Sequence, residues 1–177
     1  MRIVKREGIG AVNTNRVAEV AGVSIGSVYQ YFPDKRAMFI ALHQQHIEEI
    51  DRLISRTSAE NAHSPLAGMI GAVFDAMIGA HAKDPAYSSV IFSEIPHRPG
   101  GTEEFAVRLH GVFRLALAAK KGEMKRGLDL DVAAFVVGNM IDALAHGAAM
   151  RRPRGVGLEE AKQEGVRAVV GYLTGRG

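Results

Sequence analysis

The sequence predicts an all-α protein in two parts: a three-helix N-terminal domain built on a helix-turn-helix, and a larger helical C-terminal domain. Three observations carry this. Apolar residues recur three and four apart through the long segments, the period that gathers them on one side of a helix. Residues 14–36, TNRVAEVAGVSIGSVYQYFPDKR, read as two short helices around a tight turn, with a third beginning behind them. The polar stretch 58–64, SAENAHS, followed by Pro65, closes one long helix and opens another.

In chain order, residues 1–7 form a short helical piece with Ile3 and Val4 apolar, ended by Gly8 and Gly10. A helix of one or two turns is marginal alone, so this piece is expected to be the tail of a longer, truncated first helix. Thr14 is the expected N-cap of a helix over 15–21, whose apolar face holds Val17, Val20 and Ala21. Gly22 serves the turn, Ser24 caps a second helix over 25–31, and Pro33-Asp34 stops it and starts the next. Small Ala18, Gly22 and apolar Val28 are spaced to let the two helices cross closely.

The helix over 34–57 is long, with Met38, Phe39, Leu42, Ile47, Ile50, Leu53 and Ile54 at helical spacing. Its first half is expected under the second helix of the motif and its second half in the next domain, which makes it a mechanical link. The expected domains are 1–45 and 46–177. Further helices are expected over 66–82, 86–94, 102–121, 131–150 (capped by Asp131) and 158–173, with a Pro- and Gly-rich loop over 96–101.

Composition sets bounds. The 177 residues are 47% hydrophobic and 23% charged, ordinary for a globular protein. There is no cysteine, hence no disulfide framework and no thiolate metal site, which favours a reducing cytoplasm. No uncharged apolar run reaches the roughly 18 to 20 residues of a membrane span, and no membrane partner is expected. Residues 1–36 hold six basic residues (Arg2, Lys5, Arg6, Arg16, Lys35, Arg36) and three acidic ones (Glu7, Glu19, Asp34). The remaining 16 basic and 16 acidic residues cancel, so the net charge of +3 lies on the segment with the motif. Phosphate binding favours such a placement.

A helix-turn-helix places its second helix in the DNA major groove. Ser24, Ile25, Gly26, Ser27, Tyr29, Gln30 and Tyr31 are the candidate DNA face, with Thr14 and Asn15 at the start of the preceding helix. Small residues at 24, 26 and 27 let the backbone lie deep in the groove. Gln30 can pair bidentately with adenine and Ile25 can touch a thymine methyl. Tyr29 and Tyr31 can meet phosphate or sugar, or else serve as core tyrosines. Lys35 sits in the first turn of the next helix, where a cation opposes the dipole, and a bridging phosphate would resolve that conflict.

The stretch AEVAGVSIGSVYQYFPDKRAMFIALHQQH resembles the DNA-binding domain of the TetR family of bacterial transcriptional regulators. The matching residues are the Thr14 cap, Val17-Ala18, Ala21-Gly22-Val23-Ser24, Tyr29, Tyr31-Phe32, Lys35 and the run from Met38 to Leu42. The resemblance covers about the first 50 residues; beyond them it extends to the architecture only. It implies a homodimer, with the helices at 131–150 and 158–173 pairing with their copies in a four-helix bundle. It also implies a ligand-responsive repressor that binds a pseudo-palindromic operator on double-stranded DNA.

The middle helices are rich in Met and Phe, which suits a cavity for an apolar small-molecule effector or a packed core. The candidate ligand residues are Met69, Val73, Phe74, Met77, Phe92 and Phe113, with Asn139, Asp142 and His146 as the odd polar residues of an apolar helix. Spaced three and four apart, those polar residues share a face and either orient a ligand or bond across the dimer seam. His43 and His46 lack a third ligand nearby, and no cofactor or metal is expected. Two other readings stay open: a ligand-binding module without DNA function, and a small helical enzyme using Asp142 and His146.

Overall fold

A computed structural model describes residues 2–83 and 102–176. Among them are eight α-helices and no strand: α1 (Arg2–Glu7), α2 (Thr14–Ala21), α3 (Ile25–Tyr31), α4 (Lys35–Glu60), α5 (Leu66–Lys83), α6 (Thr102–Ala118), α7 (Leu130–Met150) and α8 (Leu158–Thr174). The helix expected over 86–94, the loop over 96–101 and Phe92 lie outside the described residues. The described residues divide inside α4 into two compact units, the first comprising residues 2–47 and Thr102 and the second Glu48–Lys83 and residues 103–176.

In the first unit, α1 is short but anchored. Ile3 is buried with Val12 and Phe39, and Val4, Ile9, Ala11 and Val17 pack against them. Arg16 joins α2 to α1 through two hydrogen bonds to the Glu7 carboxylate, at 2.9 and 2.6 Å, and also reaches Glu19 at 2.7 Å. The N-cap of α2 is Asn13, not Thr14: its side chain accepts from the Arg16 amide at 2.9 Å. The cap falls one residue earlier because Thr14 already has helical geometry. Gly22 ends α2 at φ 68°, a left-handed conformation that costs a glycine little. Ser24 caps α3 by accepting from the Ser27 amide at 3.1 Å.

The second unit is built on α5, α7 and α8, with Ile50 and Ile54 of α4 and Phe113 and Leu117 of α6 in the same core. Helix α4 runs three residues beyond its expected end, so Ser58 is a buried helical position and not a linker. The N-cap of α7 is Asp129, which accepts from the amides of Asp131 and Val132, each at 2.9 Å. Asp131, the expected cap, instead pairs with Arg114 at 2.8 Å. By length and composition α7 could cross a membrane. Its apolar residues Ala133, Ala134, Val137, Ile141 and Ala145 are nevertheless buried in this core. Gly165 lets α8 approach α5: a Cβ there would lie 3.0 Å from the Phe74 ring.

A buried cation ties the α4–α5 connection to the end of α6. Lys120 donates to the Ala62 carbonyl at 2.7 Å and to that of Ser64, while Glu123 accepts from the Leu66 amide at 2.7 Å. Lys120 thus satisfies carbonyls just past α4, and Glu123 takes an orphan amide at the start of α5. Lys120→Met keeps the stem and removes the donor. It is expected to lower the free energy of unfolding by about 2–3 kcal/mol, the cost of stranding two part-buried carbonyls. Urea denaturation checks this, and a loss below about 0.5 kcal/mol would contradict the clamp.

Candidate functional site

Helix α3 offers an exposed, mixed surface. Val28 turns inward, 5% exposed, whereas Tyr29 is 53% and Tyr31 77% exposed, so neither tyrosine is a core residue. Ile25, Gly26 and Gln30 are also exposed, and Ser27 is half-buried. Ser24 remains exposed although its oxygen caps the helix and lies 2.9 Å from the Ser27 hydroxyl. Thr14 donates to the Tyr29 hydroxyl at 3.2 Å, which fixes the ring and leaves the phenolic proton for another acceptor. Asn15 is exposed in the first turn of α2.

Two charge readings need correction. Arg16, counted in the basic excess, is engaged by Glu7 and Glu19. Those hydrogen bonds raise its pKa and hold the Glu7 carboxyl below its usual range, so it acts as a bracket between helices. Lys35 does not require a phosphate. Asp34 caps α4 by accepting from the Ala37 amide at 2.7 Å, placing a negative charge at the helix start, and the Lys35 ammonium lies 5.3 Å from the Phe39 ring centre. The unfavourable cation at the helix start thus has a counterpart within the protein.

In the second unit the candidate ligand residues part company. Val73, Phe74, Met77 and Phe113 are packed core, each at most 3% exposed. Met69 is also buried, but it lines an apolar groove of about 260 Å³ together with Ser55, Ser58 and Ala59 of α4 and Val112 and Leu115 of α6. The groove is a little smaller than the roughly 300–1,000 Å³ typical of ligand pockets. The Ser58 hydroxyl is buried and has no hydrogen-bond partner among the described residues. Sequence reading missed Ser58 by placing it in a linker; its position four residues after Ile54, on the same helical face, was the available signal.

Asn139, Asp142 and His146 do not form one constellation. Asn139 is exposed and donates to the Phe135 carbonyl at 2.8 Å. Asp142 is exposed in the single chain, yet the protein crowded around its carboxyl raises its pKa. His146 is 5% exposed, because the last turn of α5 covers it: His81 stands edge-on to it with ring centres 5.1 Å apart. Burial holds both imidazoles below their ordinary pKa; for His146, His81 and Arg151 push the same way and Asp142 opposes. The pairing of Asp142 with His146 that an enzyme would need does not line the groove.

Comparison with known proteins gives two family matches. Residues 65–173 match the tetracyclin repressor-like C-terminal domain, and residues 1–42 match the bacterial regulatory proteins of the tetR family. The nucleoid occlusion factor SlmA of Actinobacillus pleuropneumoniae is 30% identical over 87 residues, 48% of this chain and 41% of that protein. The matched region therefore spans about two-fifths of the length of that curated relative. A TetR-family transcriptional regulator from Streptomyces coelicolor superposes with a TM-score of 0.65 at 26% identity, over 97% of this chain and 92% of that one. The transcriptional regulator FadR from Bacillus subtilis, solved in complex with stearoyl-CoA, has a TM-score of 0.69 at 19% identity, over 97% and 94%. At that identity the second likeness speaks for the fold alone.

The histidine pair makes stability depend on pH. Because the folded pKa values lie below the ordinary 6.5, the unfolded chain takes up protons first. The neutral pair's stability is fully present above about 6.5 and is lost as pH falls through that value towards the folded pKa. The thermal midpoint is expected to fall between about pH 7.5 and about pH 5.5. His146→Gln should remove part of that fall and leave the share of His43, which burial shifts in the same direction. An unchanged pH slope in the variant would contradict the assignment.

Proposed function

The chain belongs to the TetR family of bacterial regulatory proteins, and from that premise we propose that it is a ligand-responsive transcriptional repressor acting in the cytoplasm as a homodimer. Two copies of α3 bind successive half-sites of a pseudo-palindromic operator. The copies pair through α7 and α8. In support, α7 leaves Val132 and Phe135 exposed at 56% and 64%, one helical turn apart, and such an apolar surface favours burial against a partner.

The observation that carries the mechanism is the double membership of α4. Its first turns hold Phe39 in the core of the reader unit, and its last turns supply Ser55, Ser58 and Ala59 to the wall of the apolar groove. An aliphatic effector entering the groove pushes directly on the helix that carries the reader. The groove's apolar lining and its one buried hydroxyl suit a hydrocarbon chain with a polar end; FadR from Bacillus subtilis, a fold neighbour, carries stearoyl-CoA. DNA affinity falls by the ratio of the effector's affinities for the two states, so a hundredfold release requires about 2.7 kcal/mol of differential binding.

The reading is tested with a duplex selected from a random pool by the full chain. Gln30→Ala is expected to cost about 1–3 kcal/mol in affinity and to relax base preference at one position per half-site. Ala59→Phe, which fills the groove from its α4 wall, should keep DNA affinity and abolish release by a medium-chain acyl thioester. The proposal is sunk by a chain that retains no duplex at low salt, or by release that survives Ala59→Phe.

A further inference from the structure

The groove between α4 and α6 holds a polar atom that the described residues leave unanswered. A hydroxyl inside a helix has a local outlet, the carbonyl four residues back, and Thr174 uses it by donating to Val170 at 2.9 Å. Ser58 does not. It is 9% exposed, and its hydroxyl has no hydrogen-bond partner among the described residues. The same residue lines the groove. An unbonded hydroxyl held away from water destabilises a fold, so one in the wall of a groove points to a partner that enters from outside.

The groove lies wholly within the second unit, and its two walls set its length. One runs from Ser55 to Ala62 and the other from Val112 to Ala119, each about 10 Å at 1.5 Å per residue. Lys120 ties their far ends together, so the walls run in the same direction and Ser58 stands near the middle. At about 30 Å³ per water-sized group, the volume of about 260 Å³ takes about nine heavy atoms. No charged side chain lines the groove among the described residues. Arg56 and Glu60, which flank the wall residues in sequence, meet each other at 3.8 Å. Lys120 is engaged by the carbonyls of Ala62 and Ser64, with Glu123 at 3.7 Å. An anion beside Ser58 would therefore lose its water without gaining a counter-charge.

We propose that the groove selects an uncharged amphiphile, held by a hydrogen bond between its one polar group and the Ser58 hydroxyl. The inference rests on the effector reading above and narrows it to a charge state and an anchoring atom. A hydroxyl both donates and accepts, so an alcohol, an amide or the carbonyl of a thioester meets the terms. A free carboxylate does not, because it would be buried as an ion among apolar side chains. A pure hydrocarbon fills the space but leaves Ser58 unbonded, which a site built around a hydroxyl discriminates against.

The test is calorimetric titration of the full chain, without DNA, by 1-octanol, octanoate and ethylbenzene at about pH 7.5, where the carboxylate is ionised. 1-Octanol is expected to bind at least about tenfold more tightly than octanoate. Ser58→Ala keeps the helix and should weaken 1-octanol about tenfold, while ethylbenzene, which has no polar group, should not be weakened. Ala59→Phe should abolish the binding of both. Octanoate binding as tightly as 1-octanol overturns the inference, as does a Ser58→Ala chain that binds 1-octanol like the wild type. Failure of 1-octanol to bind, or binding that survives Ala59→Phe, overturns it too. None of these results bears on DNA binding, so the repressor reading stands or falls separately. The expected binding pattern with no release of duplex would count against that reading and leave this one in place.

Discussion

Between Phe39 and Ile50 helix α4 is unbroken, and the two residues belong to different cores. That continuity constrains much else in the molecule. An α-helix turns about 100° and rises 1.5 Å per residue, so Ile50, Ile54 and Ser58 fall on one face of α4. A displacement of the groove wall is then either passed along the helix or absorbed by bending it. Bending requires stretched or broken backbone hydrogen bonds, and no Pro or Gly lies within α4 to make that easy. The proposed release rests on this continuity.

The ends of α4 are held by different chemistry. At its start Asp34 satisfies an orphan amide, and Phe39 packs on Ile3 and Val12, which depend on the Glu7–Arg16 bracket for the seating of α1. Beyond its end Lys120 satisfies carbonyls that the helix no longer can. Both devices place one cation among several oxygens, and both convert a short or frayed segment into a fixed one. Ser58 of the groove and Phe39 of the first unit's core are accordingly residues of one continuous helix.

Much of this was legible in the sequence wherever local chemistry decides. Gly22, Ser24 and Val28 take the expected roles because turn, cap and crossing are set by residues a few positions apart. Caps slipped by a residue or two, from Thr14 to Asn13 and from Asp131 to Asp129, because several capping-type side chains stood in a row and only backbone geometry chooses among them. Lys35 misled for a related reason: Asp34 beside it already answers the dipole. The Met and Phe residues did not separate into core and cavity, since the same residue types serve both. Ser58 was hidden because polarity in sequence resembles a linker, whereas four residues after Ile54 it is a buried wall.

The most direct measurement is of coupling through α4. Affinity for the operator duplex would be determined with and without effector, and affinity for effector with and without duplex, in the wild-type chain and in Gln44→Gly/Gln45→Gly. Both glutamines are exposed between the two cores, and paired glycines soften the helix by about 2 kcal/mol without emptying either core. In the wild type the two ratios must be equal, as linkage demands. The account predicts that the double glycine variant still binds each ligand alone but shows a ratio near one. A ratio unchanged from wild type would contradict transmission through the helix.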